Sequence, residues 1–355
     1  MPAPHAPRTP WARTALLGVV LSAAVCLIVL AFSWPSVTLN PRDLPIAITG
    51  PAASVQAVET ALEAQADGAF RLDEVADRDA AVEAIRTRAD YGAIVLGTEP
   101  EVLTSSAAGT ATNQLMTQLR TQLQAMAQQQ AAAAAQAAGL GQAPTVTVAL
   151  TDVVPLVAGD PRGAGLTAAA LPLVFGGMIG GIGVALVVTG AWRRVVALLV
   201  YAIVAGAAIA GIMQGWFQVL GGDYLLNAAA VSLTLLAMGA TIVGFAALFG
   251  RPGIAVGPVL FMLIGNPISG ATFPKEFYPA PWGEVGQFLP PGAGATLLKD
   301  VAYFPDASPA FPILVLACWA VVGLALVIVG HFRDQAEVVP AGGHDLATAP
   351  DTAPA

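Results

Sequence analysis

Charged residues are scarce in this 355-residue chain. Asp, Glu, Lys and Arg together make up 11%, and only two lysines occur, Lys275 and Lys299. A soluble globular chain carries about a quarter charged residues, so much of this surface is built to face something other than water. What charge there is sums to −8 at pH 7, which argues against nucleic acid as a partner. Histidine is nearly absent: His5 and His344 in the tails, and His331 at the end of an apolar run. No His/Cys/carboxylate cluster has metal-ligand spacing. Neither a G-x-S-x-G elbow nor a G-x-x-x-x-G-K-[ST] phosphate loop occurs. The expectation is a chain that is not an enzyme, uses no cofactor or metal, and cannot hydrolyse ATP by itself.

Cysteine is equally sparse. Cys26 and Cys318 both fall in apolar runs and none lies in the polar part of the chain, so a disulfide framework is excluded there. The two read as small apolar core residues, although they would face each other if the first and last runs packed together.

What the chain does have is hydrophobic length. The apolar fraction is 56% and the mean hydropathy +0.71. Six runs, at 14–33, 166–190, 195–214, 225–249, 253–268 and 310–332, approach or reach the ~20 residues that a spanning helix needs. The first stands alone before a polar stretch, and the other five are crowded together. Its length exceeds an h-region of about 7–15 residues, and AFSWPSV offers no clean small-residue cleavage site. It reads as a retained signal-anchor helix with Trp34 as an interfacial anchor.

The expected fold is thus an α-helical integral membrane protein with six transmembrane helices and an extracytoplasmic α/β domain inserted between helices 1 and 2. The expected divisions are a cytoplasmic N-terminus (1–13), helix 1 (14–33), the external domain (34–165), a five-helix bundle (166–332) and a disordered cytoplasmic tail (333–355). Arg8 and Arg13 precede the first run, Arg193 and Arg194 lie between the second and third, Arg251 between the fourth and fifth, and Arg333 after the sixth. All fall on one side, which the positive-inside rule makes cytoplasmic. Both termini are then inside, at the plasma membrane. The fifth run is short and carries Pro258 and Pro267, as a kinked packing helix or a broken helix lining a cavity would.

Within 34–165 the pattern is mixed. LPIAITG (44–50) reads as a strand ending in a Gly-Pro turn. Residues 54–66 read as a helix with Val55, Val58 and Leu62 on one face, and 70–72 as a short strand. Residues 77–88 read as a second helix with Arg86 and Arg88 exposed. YGAIVLG (91–97) is a buried strand that EVLTSSA (101–107) can pair with, and TVTVAL (145–150) alternates as a last strand. The Ala/Gln-rich stretch 110–138 has good helix formers and no Gly or Pro; Leu115, Leu119, Leu123 and Met126 mark a stripe. A long external helix with a self-associating face is preferred there to disorder.

Two places stand out as sites. GGMIGGIG (176–183) contains overlapping G-x-x-x-G pairs, Gly176/Gly180 and Gly177/Gly181, which allow close helix approach; they serve bundle packing or a dimer interface. The stretch 265–307 is too apolar for a solvated loop and too broken for a spanning helix. It suits an interfacial or re-entrant segment at 269–309, or a cap over the bundle. Phe273, Phe277, Tyr278, Trp282 and Phe288 would then sit at headgroup depth. Asn266, Pro267, Phe273, Pro274 and Pro290 are its candidate functional residues. The spans themselves are nearly free of ionisable residues, which disfavours a pump driven by buried carboxylates.

One run, a large domain and five runs resembles the permeases of type-two ABC exporters, in the branch of phage-infection-protein-like membrane proteins. The resemblance is carried by DPRGAGL (160–166) leading into LPLVFGGMIGGIG (171–183), by GNPISGATFPKEFYP (265–279) and by FLPPGAGATLLKDVAYF (288–304). It implies a homodimer in the lipid bilayer, a separate ATPase subunit as partner, and outward movement of an amphipathic or lipid-like compound by alternating access. Members coupled to an ATPase usually present it with a cytoplasmic amphipathic helix or sizeable loop, whereas the basic connections here are short. The alternative is a non-transporting membrane protein whose external domain binds a cell-envelope partner.

Overall fold

The computed structural model describes residues 10–66, 68–139 and 142–337. Helix α1 (Trp11–Thr38) is exposed along nearly its whole length. An α/β unit follows: β1 (Leu44–Thr49), α2 (Ala52–Gln65), β2 (Phe70–Glu74), α3 (Arg78–Arg86), β3 (Gly92–Val95), β4 (Glu101–Thr104), α4 (Thr110–Ala137) and β5 (Ala149–Asp152). The bundle comprises α5 (Ala164–Val187), α6 (Ala191–Ala210), α7 (Tyr224–Phe249) and α10 (Ala310–Glu337), with α8 (Trp282–Gln287) and α9 (Pro290–Tyr303) lying before α10.

The sheet order is β2-β1-β3-β4-β5, parallel except for β3 with β4. Alternation along the strands divides the core in two. Ile46, Ile48, Ile94 and Val102 point to the face covered by α2 and α4, while Ala47, Ala93 and Leu103 point to the face covered by α3. Because both faces are packed, β1 is buried at every position, as a strand in a parallel sheet should be. In α4, Met116, Leu119 and Leu123 face the sheet, so the helix is a wall of the domain's own core.

The last strand starts later than its alternation predicts. Over 145–148 the chain is held by glutamines of α4 instead of by a neighbouring strand. Gln124 accepts from the Val148 N–H at 2.7 Å and donates to the Val146 carbonyl, and Gln128 accepts from the Val146 N–H at 3.1 Å. These side chains satisfy the backbone groups that a ladder would otherwise pair. Gln124→Ala should therefore cost about 1–3 kcal/mol, read as faster amide exchange at Val146 and Val148.

Among the described residues five helices are long and apolar enough to cross a membrane: Trp11–Pro35, Thr167–Val187, Ala191–Trp216, Tyr224–Phe249 and Ala310–Gly330. The fifth expected run behaves differently. Its apolar helical part, Arg251–Gly265, is shorter, with 3-10 turns over Arg251–Ala255 and a π-helix over Pro258–Gly265. Fifteen residues at ~1.5 Å each rise roughly 22 Å, short of the ~30 Å hydrocarbon core. Pro252 and Pro258 each remove a helical donor, and the Asn266 N–H bonds the Phe261 carbonyl at 2.8 Å, five residues back.

Helix α7 is the axis of the bundle, flanked by α5, α6 and α10. Arg193 and Arg194 sit inside the first turn of α6, not in the connection. Arg194 folds back so that Nε donates to the Val188 carbonyl at 2.8 Å, capping the end of α5. Cys26 and Cys318 are both free and exposed on their helices, so neither is a core residue. Helix α10 runs on to Glu337, beyond the expected end of the span. Of the expected tail, 338–355 lies outside the described residues, as do His5 and His344.

The four glycines seat neighbouring helices of the same chain. A Cβ on Gly177 or Gly181 would stand 2.9 or 3.0 Å from side-chain atoms of Met238 or Ile242 on α7. Gly176 and Gly180 receive Tyr201 of α6, whose hydroxyl donates to the Gly176 carbonyl at 2.6 Å. A Cβ on Gly180 would fall 2.0 Å from the Tyr201 ring. Gly180→Ala should thus destabilise the bundle by about 1–3 kcal/mol, measured as a lower Tm in lipid nanodiscs. The double variant with Tyr201→Leu should regain most of it.

Candidate functional site

The α/β domain is docked on one end of the bundle, and the segment 266–309 is the surface it docks on. Two prolines at the first positions of α9 start that helix with φ already set. Three and four residues apart, Thr296, Lys299 and Asp300 share one face; Ala293, Leu297 and Leu298 turn into the apolar core. The polar face looks onto the domain.

The seam is made of specific bonds. Arg88, just past the end of α3 with φ +60°, pairs with Asp300 and lies over the Phe304 ring at 5.3 Å. This corrects the expectation that Arg88 is exposed: its side chain is 20% exposed and Asp300's 5%. Tyr91 donates to Glu276 Oε2 at 2.9 Å. The Asn40 and Arg42 N–H groups donate to the carbonyls of Phe277 and Glu276 at 3.2 and 3.0 Å. Lys299 Nζ donates to the Ala108 carbonyl at 3.1 Å. Burial raises the Tyr91 hydroxyl above its ordinary range, with the nearby Glu276 charge adding to it. Burial also raises the Asp300 carboxyl, against the downward pull of Arg88.

These contacts enclose a chamber of about 420 Å³ whose walls include Arg88, Tyr91, Glu276, Gln287, Lys299 and Asp300. Beside it a narrow apolar cleft of about 40 Å³ runs between α5, α7 and α9, lined by Val174, Leu235, Met238, Gly294 and Leu298. Lys299 borders both. A Cβ on Gly294 would meet Thr234 at 2.5 Å, so that glycine sets how closely α9 approaches α7. The arrangement sets a polar compartment and an apolar one side by side, with Lys299 in the lining of both. No family model, curated protein or solved structure matches this chain. The site is therefore read from its own chemistry. Among the described residues no group of three or more His, Cys, Asp or Glu could hold a metal ion.

The outer-segment candidates fall around these spaces. Asn266 is at the cleft, Pro274 is buried at the chamber wall, and Pro290 is buried at the start of α9. Pro267 lies in the turn between them, and Phe273 packs on Phe277 at 6.0 Å. Of the five aromatics expected at headgroup depth, Phe277 and Tyr278 point inward and are buried, whereas Trp282 and Phe288 are exposed. Trp34 meets Trp282 edge-on at 6.0 Å. Sequence reasoning missed Lys299, Asp300, Arg88 and Tyr91. A Lys-Asp pair in an otherwise apolar helix, in a chain with two lysines, was the available signal.

Burial depresses the Lys299 ammonium to about 8, with Arg88 repulsion adding to it and Asp300 opposing it. Lys275→Arg leaves Lys299 as the one lysine. Carbon-13 reductive methylation of that variant should give one dimethyl-lysine signal whose shift titrates with a midpoint near 8.

Proposed function

We propose that this chain is the membrane-embedded permease subunit of an exporter that moves an amphipathic compound outward, with a separate ATPase as its motor. The observation that carries this reading is the polar chamber where domain meets bundle, with an apolar cleft beside it that shares Lys299 in its lining. A compound with a head and a tail finds matching surroundings on the two sides of Lys299.

The reading takes the chain through the bilayer six times. Gly323 packs on Ala240 and Gly330 on Ala247, so α7 and α10 run parallel and the chain must return between them. The short stretch Arg251–Gly265 is the return: Gly253, Gly257, Phe261 and Gly265 are buried along one face, with Gly253 and Gly257 against α7 and Gly265 against Pro291 of α9. Arg193, Arg194 and Arg251 gather at the bundle end away from the domain, which supports an external domain and internal termini at the plasma membrane. The exposed apolar length of α1 suits contact with lipid or with a second copy in a homodimer.

Extraction of the tagged chain with its native lipid should bring down a phosphate-loop ATPase. The complex should hydrolyse ATP several-fold faster than the ATPase alone. Hydrolysis indifferent to the presence of this chain would sink the motor-coupled reading.

A second reading, capture of a cell-envelope partner without transport, is favoured by one feature. An open groove of about 620 Å³ lies between α2, α4 and the sheet, with Val58, Leu123 and Met126 in its walls. Filling it with Ala131→Trp should abolish partner capture and spare efflux if this reading holds.

A further inference from the structure

We propose that the chamber and cleft bind an anionic amphiphile, with its acidic head on Lys299 and its first methylenes between α5, α7 and α9. The proposal rests on the export reading only for the direction in which such a compound would move.

The charges at the chamber decide the sign of the head. Four cationic side chains line it, Arg71, Arg88, Lys275 and Lys299, against the three carboxylates of Glu276, Glu284 and Asp300. Each carboxylate is already engaged: Asp300 by Arg88, Glu284 by Lys275 at 2.8 Å, and Glu276 by the Tyr91 hydroxyl at 2.9 Å and by Lys275 at 4.0 Å. Arg71 is held by Asp73 at 2.9 Å, outside the chamber. The remaining three cations and three carboxylates balance, and Lys299 is the one of these cations that makes no ion pair among the described residues. Among the described residues no carboxylate lies within the 4.0 Å of an ion pair to it, and its one bonded acceptor is the neutral Ala108 carbonyl. An ammonium has three donors, so two remain for a ligand. A half-buried cation without a counter-charge carries a desolvation cost, and an acidic head would relieve it. A cationic head would find every carboxylate occupied and Lys299 repelling it.

The cleft selects the group attached to the head. Its walls are aliphatic apart from Thr234, Asn266, Ser269 and Lys299 itself, and the Thr234 hydroxyl is spent on the Ala230 carbonyl at 2.8 Å. Lys299, by lining both spaces, fixes the boundary between head and chain.

The test uses the full chain in phosphatidylcholine nanodiscs and an alkyl phosphate bearing a diazirine near its head. Photolabelling should map to α9 and the facing turns of α5 and α7. An alkyl-trimethylammonium probe of the same length should label about ten- to hundredfold less, the worth of one charge-assisted bond. Lys299→Met should lower alkyl phosphate labelling by a similar factor, and Lys299→Arg should retain it. Unlabelled alkyl phosphate should compete and inorganic phosphate at the same concentration should not.

Equal labelling by the cationic probe would overturn the proposal, and this arm needs no variant to fold. So would competition by inorganic phosphate as strong as that of the alkyl phosphate, since the chain would then play no part. Labelling as expected with no transport would remove the export reading and leave this site standing. Transport with labelling indifferent to head charge would do the reverse.

Discussion

Replacing Asp300 by Ala should loosen the whole domain from the bundle, at a cost of about 3–5 kcal/mol. The substitution leaves the Arg88 guanidinium at 20% exposure with the Phe304 ring as its remaining partner among the described residues. An uncompensated buried charge is among the largest single-residue penalties a fold meets. The pair need not be a net source of stability, because burial raises Asp300 in spite of its partner. It is the removal of one member that costs. Hydrogen exchange in nanodiscs should show α9 and the α3–β3 connection opening together. The double variant Arg88→Met, Asp300→Leu should recover most of the loss. Arg86→Ala, which breaks the exposed pair with Asp306 at 2.9 Å, should shift stability by less than about 1 kcal/mol. If Asp300→Ala costs no more than that, the seam does not hold the domain.

Asp90 is the second large effect, with the opposite sign. Its carboxyl is 5% exposed and one oxygen, Oδ1, has no hydrogen-bond partner. Burial pushes it up to about 7, with the Asp73 charge and hydrogen bond adding to that and Arg71 opposing it. Unfolded, it would titrate near the ordinary carboxylate value of ~3.9. Between these values the folded state holds a proton that the unfolded state has lost. The Asp90 contribution to stability is therefore greatest at low pH, falls as pH rises through roughly 4–7, and stays reduced above. The loss is on the order of 2–4 kcal/mol. Asp90→Asn keeps a donor for Asp73 and removes the charge. It should stabilise the domain by that amount at pH 8 and flatten the profile, read from exchange at the β1 and β3 amides. An unchanged slope would assign the pH dependence elsewhere.

Much of the domain was legible because its local signals agree. The strand at Leu44–Thr49, the face of Val55, Val58 and Leu62 on α2, and the helix after Asp77 follow from periodicity and capping, with Asp77 accepting from the Ala80 N–H at 2.9 Å. The long helical runs follow from length and hydropathy. What escaped depends on contacts between distant parts. Arg88 reads as a solvated residue until the bundle end covers it. The alternation of 145–150 predicts a strand because nothing local shows that Gln124 will supply the hydrogen bonds. Run 253–268 already reads as short and proline-broken, but nothing local shows that its helical part is wound as 3-10 turns and a π-helix. Within the site, Asn266, Pro274 and Pro290 were marked by composition, whereas Lys299 acquires its meaning only from Ala108, Arg88 and the cleft around it.

The most direct measurement is transport in inverted membrane vesicles from cells making the chain together with the proposed ATPase subunit. ATP should drive uptake of a fluorescent anionic amphiphile into the vesicle lumen. Vesicles lacking this chain, or holding ATP with a dead ATPase, should show none. Equal uptake with and without the chain would contradict the account.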